Sequence, residues 1–146
     1  MLFRSFEAHG IGEYISALSN AAALCGKDFA YLIWGVNDET HEIVGAEFDF
    51  RKDIKQEPLE HYLARQTTPD IAFSFHEVSL EEKRLVLLEI PKAKIAPTSF
   101  DGVRYIRIAS SKVNVAKYPD REAHLFDVLR NKEKTIENYS DRKSVV

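Results

Sequence analysis

The chain has 146 residues, 45% of them hydrophobic, a formal net charge of −3 and a sequence pI of about 6.0. That balance suits one domain with a real core and excludes a disordered chain. It also excludes a protein that coats nucleic acid by global positive charge. No apolar run reaches membrane-spanning length and no signal-like segment opens the chain, so the expected setting is the cytoplasm. A single cysteine, Cys25, precludes an internal disulfide framework.

Met1–Glu7 reads as a short opening strand with Leu2, Phe3 and Phe6 apolar. Gly10–Cys25 reads as the first helix: Ile15, Leu18, Ala22 and Cys25 recur at helical spacing, with Ile11 before them and Gly26 where a helix often ends in left-handed geometry. Cys25 on that apolar face is expected to be a buried structural thiol. Glu13, Ser16 and Asn20 share the opposite face. Asn20 is a weak helix former, which implies a task, either a hydrogen bond that anchors the following loop, the plainer reading, or contact with a ligand. Phe29–Val36 is almost continuously apolar and predicts a central strand covered on both faces. Gly35 within it lets another group approach the backbone. Asn37–His41 forms a turn, and Glu42–Phe50 is expected to pair back on the first strand with a register break at Gly45.

Arg51–Glu57 is charged and reads as loop, and Pro58–Gln66 as a short helix with Leu59, Tyr62 and Leu63 on one face. Ile71–Val78 alternates and Arg84–Ile90 is apolar, which predicts two strands joined by the polar turn between them. Pro91–Pro97 reads as an exposed connector. Val103–Ile108 is a strand after the Asp101–Gly102 turn, and Pro119–Asn131 a terminal helix. Lys132–Val146 is polar and is expected to be a tail or linker stump, leaving 1–131 as the domain. The sum is a single α+β domain with a mixed, mainly antiparallel sheet and helices packed on it.

Three segments, ISALSNAAAL, AYLIWGVND and HEIVG, together resemble the AlbA-like domain of the Schlafen type. Pro97–Phe100 followed by YIRIASSK is similar to that family's second landmark, and the likeness runs from about Gly10 to Leu129. The resemblance implies a DNA-binding module, of the kind that often heads bacterial transcriptional regulators and helicase-related or ATP-binding proteins. Related domains open with a strand carrying two glutamates, which are catalytic in some Schlafen nucleases. Here only Phe6–Glu7 echoes that strand, so the start is expected to be truncated or diverged. Asp38 matches the acidic position after the family's "GV" strand, Asn20 its helix asparagine, and Ala109 stands where a glycine is usual.

Nuclease chemistry needs carboxylates converging on a divalent ion. Of the residues the family would use, Asp38 carries over, and Glu7 or Glu13 would have to supply the partners in space. An Asp at a turn also shapes it by bonding its own backbone. A Walker phosphate loop is excluded: Gly26–Lys27 is followed by Asp28, and Ala21 occupies the place of the first glycine. The histidines are scattered without ligand spacing, so neither a metal nor another cofactor is expected. The strongest candidate site is the stretch around Tyr105, Arg107, Ser110, Ser111 and Lys112, read as a strand end and the loop after it. It offers guanidinium, ammonium, hydroxyl and backbone donors to a phosphate. A solvated turn is the plainer reading of the same residues. Alternation places Val103, Tyr105 and Arg107 on one face and Arg104 on the other. The partners implied are DNA or RNA, with self-association through sheet edges or the last helix as a non-catalytic alternative.

Overall fold

The computed structural model describes residues 5–37, 39–54, 56–109 and 111–130. Its organising element is α1 (Ser5–Cys25), which begins five residues before the helix start expected from the sequence. Residues 5–7 are therefore helical and not part of an opening strand. Glycine weakens helices, yet Gly10 and Gly12 both lie within α1. Gly12 is needed inside it: a Cβ there would lie 2.1 Å from the ring of Phe100, which is fully buried against the helix.

β1 (Phe29–Trp34) follows α1 after Gly26. After an irregular stretch come β2 (Asp53–Ile54) and β3 (Glu57–Pro58), a two-residue ladder. α2 (Leu59–Gln66) follows Pro58, which stands at its N-cap position without a side-chain capping bond, and buries Leu59 and Leu63. Next are β4 (Thr67–Thr68), β5 (Ser74–Leu80) and β6 (Lys83–Pro91). β5 and β6 form a hairpin whose turn residues, Glu81 and Glu82, both have positive φ. The last strands are β7 (Ser99–Phe100), β8 (Val103–Ile108) and β9 (Ser111–Asn114). A short 3₁₀ turn, Val115–Lys117, leads into helix α3, residues 119–130.

The strands make two main antiparallel sheets, ordered β1-β6-β5 and β4-β7-β8-β9. α1 packs on both. Its apolar residues Ile11, Ile15 and Leu18 meet Val86, Leu88 and Ile90 of β6, Leu59 and Leu63 of α2, and Phe100. A second cluster joins Ala23, Ala93, Ile106 and Val115 to Leu125 and Leu129 of α3. This is the expected α+β architecture, with antiparallel sheets and helices on them. Among the described residues no helix is long and apolar enough to cross a membrane. The tail expected from residue 132 onward lies outside the described residues.

Four expectations are corrected. First, Phe29–Val36 is not the central strand. β1 is an edge strand, β6 is central, and Phe29, Tyr31 and Ile33 are exposed while Ala30, Leu32 and Trp34 face the core. α1 covers one face of this sheet, so a continuous apolar run here means one buried and one open face. Second, Glu42–Phe50 is no strand: apart from a single bridge between Val36 and Ile43 it is irregular. Its backbone is tied down by Arg84, whose guanidinium donates to the carbonyls of Ala46 and Phe48 (3.3 and 2.6 Å), while Ala46 N–H donates to the Arg84 carbonyl (2.7 Å). Third, Cys25 is exposed at the helix end rather than buried. Fourth, the Pro91–Pro97 connector is only partly exposed. Ile95 is open to solvent, but Ala93 is buried and its N–H donates to the Ser19 carbonyl.

Candidate nucleic-acid interface

The polar side of α1 is buried. Ser16, Ser19 and Asn20 have no exposed surface, nor does Thr98, which they meet. The Asn20 amide donates to the carbonyls of Thr98 (3.0 Å) and Tyr105 (2.8 Å) and accepts from Thr98 N–H (2.8 Å). Ser16 Oγ donates to the Thr98 carbonyl (2.7 Å) and accepts from Tyr105 N–H (2.9 Å). Ser19 Oγ donates to the Pro91 carbonyl (2.8 Å). Asn20 thus performs an anchoring task, but on chain 78 and 85 residues away rather than on the loop that follows the helix. By clamping Tyr105 at its backbone, this network sets the height of β8 along α1 and hence the position of everything β8 carries.

β8 and β9 form a hairpin in which Arg107 stands directly opposite Lys112 and Tyr105 opposite Asn114. Ser111 and Lys112 therefore lie on a strand and not on the loop expected from the sequence. The turn needed at Ala109 is left-handed, with φ of 55°, a geometry that glycine adopts more easily. Ser110 and Asp38 lie outside the described residues. Arg107 is exposed and its Nε donates to the carbonyl of Ala109 (3.1 Å). Arg104 projects from the other face, with its guanidinium over the Phe126 ring and 3.7 Å from Glu122 of α3. The structure thus brings Tyr105, Arg107 and Lys112 to one face and sends Arg104 away.

Glu13 is a meeting point that spacing alone did not reveal. Its carboxylate lies 3.5 Å from Lys112 Nζ and 3.7 Å from His9 Nδ1, and it accepts a hydrogen bond from the Tyr105 hydroxyl. His9 Nε2 in turn is 3.6 Å from Asp101. Lys112 Nζ also sits over the Tyr14 ring, 4.4 Å from its centre. Burial, the bond to Glu13 and the charges of Glu13 and Asp101 push the Tyr105 hydroxyl up to about 12. The signal available in the sequence was the spacing of His9, Glu13 and Tyr14 on α1. What it lacked was the register that sets β9 beside that turn of helix.

The raised Tyr105 value has a consequence for stability. A neutral acid held protonated by the fold contributes stability that is whole below its unfolded value near 10 and is lost as pH rises toward 12. The thermal midpoint is therefore expected to fall through that window, and Tyr105→Phe should flatten the fall. An unchanged alkaline profile in Tyr105→Phe, by circular dichroism melts, would refute the coupling.

Lys112 also lies on the wall of a cleft of about 650 Å³ between the first half of α1, the inner face of β1 and the irregular 45–49 segment. Gly10, Ile11 and Tyr14 come from α1, Leu32, Trp34 and Gly35 from β1 and its end. The residues from Gly45 to Asp49, with Lys52, close the other side. Gly35, with φ of 108°, permits that closure: a Cβ there would lie 2.7 Å from the Leu85 side chain and 3.1 Å from the Ala46 nitrogen. The group that approaches the Gly35 backbone is thus the chain's own 45–46 segment. Among the described residues no group of three His, Cys, Asp or Glu side chains is disposed to hold a metal ion.

The profile of the family described as Schlafen, AlbA_2 matches residues 3–116. Among solved structures, the crystal structure of the DIP2311 protein from Corynebacterium diphtheriae is similar, with a TM-score of 0.52 at 18% identity over 74% of this chain. The chain spans 17% of the length of that protein, so the likeness concerns the fold of one part of it. No curated protein matches the chain. With a profile match over most of its length and an antiparallel α+β fold to go with it, the chain belongs to the Schlafen AlbA_2 family.

Proposed function

We propose that this domain is a nucleic-acid-binding module whose contact centres on Arg107 and Lys112. The observation that carries the reading is their cross-strand pairing, which sets two cations side by side on one face, with Lys112 on the wall of the cleft. Family membership supports it. The net charge of −3 limits its strength. Two cations neutralise about two phosphates, which gives weak binding and a shallow salt slope, roughly 0.9 per phosphate on duplex DNA and 0.7 on single strands. Fluorescence anisotropy with labelled DNA and RNA at several salt concentrations tests this. Arg107→Ala and Lys112→Ala should each weaken binding, while Arg104→Ala, held on α3, should bind like the parent. Absence of binding at low salt, or loss through Arg104→Ala alone, overturns the reading. In the same tubes with Mg²⁺ or Mn²⁺ no cleavage is expected, because Asp38 is the one catalytic-type position of the nucleases that carries over in this sequence. Cleavage that disappears in Asp38→Ala would instead make the domain a nuclease.

One observation favours a second reading, self-association. β1 is an edge strand whose six residues, Phe29–Trp34, include no charge and no proline, and three of its large side chains are exposed. Such an edge is open to pairing with another strand. Ile33→Lys should convert a dimer to monomer in sedimentation velocity. A parent that is monomeric at all concentrations removes this reading.

A further inference from the structure

We infer that the cleft beside Lys112 takes a single unstacked nucleobase with its phosphate, so that the strand recognised is single-stranded and one base of it is buried. This inference rests on the nucleic-acid reading above and specifies its ligand. It starts from a mismatch: a chain with net charge −3 has little electrostatic attraction for a polyanion, so affinity has to come from elsewhere. Burial of a base is the alternative, because every base has a flat, poorly hydrated face that an apolar cleft can cover.

The cleft has the matching chemistry. Its apolar lining includes Leu32, Trp34 and Phe48, and Trp34 and Phe48 are stacked with ring centres 4.4 Å apart. Behind them Phe75 contacts both rings and stacks on Phe50, so this wall is held by packing before any ligand arrives. Preformed walls spare a ligand the cost of ordering them. The charged lining is of both signs: Lys112 and Lys52, and the carboxylates of Glu47 and Asp49. A lipid would leave Lys52, Glu47 and Asp49 facing apolar chain, and a compact anion would waste the apolar wall and meet two carboxylates. A molecule with a flat face, N–H donors along its edge and one anionic group answers all three features. A volume of about 650 Å³ lies within the range, about 300–1,000 Å³, in which pockets bury a small organic ligand.

Two selectivities follow. In a duplex the base faces are stacked and its edges paired, so they cannot enter a concave cleft, and single strands should bind better than duplex of the same sequence. The carboxylates accept hydrogen bonds, so bases with an exocyclic amine should be preferred over uracil, whose edge has a single N–H flanked by two carbonyls that repel a carboxylate.

Trp34 is the chain's single tryptophan and lines the cleft, so its emission reports occupancy directly. Titration of the intact chain with adenosine, cytidine and uridine monophosphates, and with a short single-stranded oligonucleotide and its duplex, is read by Trp34 emission and, for the oligonucleotides, by anisotropy. Saturable emission changes are expected, with uridine monophosphate weaker by several-fold and the single strand tighter than the duplex by roughly tenfold. Lys112→Ala should weaken all of them. Asp49→Asn keeps the oxygen that accepts from Arg51 N–H and should erase part of the preference against uridine. If oligonucleotides bind by anisotropy while Trp34 emission stays unchanged, the cleft assignment fails and the module reading survives. If mononucleotides alter Trp34 but no strand binds, the module reading fails and with it the assignment to a base within a strand. If the duplex binds as well as the single strand, the unstacked-base proposal is overturned.

Discussion

Gly35→Ala is expected to destabilise the domain by about 3 kcal/mol or more and to lower its thermal midpoint by roughly 10 °C. Two independent costs add. With φ of 108°, the backbone at Gly35 lies where residues with a Cβ rarely go, which alone costs on the order of 1–3 kcal/mol. The added methyl would then stand 2.7 Å from Leu85 Cδ2, and 3.1 Å from both the Ala46 nitrogen and the Arg84 carbonyl oxygen. The leucine can turn aside, but the two backbone atoms are hydrogen-bonded to each other and have no such freedom. Pushing them apart opens the seam that closes the cleft, so Trp34 emission should change as well. Gly26→Ala is the control. Its φ is 70° and nothing lies within 4 Å of a Cβ there, so the cost reduces to backbone strain, about 1 kcal/mol. Equal losses from the two substitutions, measured by urea unfolding, would show that the close approach at Gly35 contributes nothing.

Asn20→Ala should cost about 3–4 kcal/mol. Its buried amide makes three hydrogen bonds, and truncation leaves the buried Thr98 N–H and the partly buried Tyr105 carbonyl without their partner. Each orphaned buried group costs about 1–3 kcal/mol. The Thr98 carbonyl keeps the Ser16 hydroxyl and suffers less. Asn20→Asp is expected to be worse than Ala at neutral pH, because it turns a carboxylate toward two carbonyl oxygens. Ser16→Ala, which leaves Asn20 in place, should cost less than Asn20→Ala. A loss below about 1 kcal/mol for Asn20→Ala would mean the network is dispensable. Because Asn20 holds β8 at Tyr105, its loss should also weaken any binding that depends on the Arg107–Lys112 pair, even in protein that remains folded.

The elements that stand on a short-range signal were legible in the sequence. Ile15, Leu18 and Ala22 mark the buried stripe of α1, alternation places Arg104 and Arg107 on opposite faces of β8, and the Asp101–Gly102 turn carries the positive φ values expected of a tight hairpin. The family too was legible, from segments whose order matches the AlbA-like pattern and whose profile covers residues 3–116. What the tertiary structure alone decided is where those elements sit against one another. An apolar run such as Phe29–Trp34 has the same composition whether one or two of its faces are covered, and only the placement of α1 on one side of the sheet left Tyr31 and Ile33 in solvent. Gly12 weakens an isolated helix, but it sits inside α1 because Phe100 fills the space a side chain would occupy. The meeting of Glu13 with Tyr105 and Lys112 joins α1 to β8 and β9, whose residues lie about 90 to 100 positions further along the chain, a separation over which sequence periodicity carries no information.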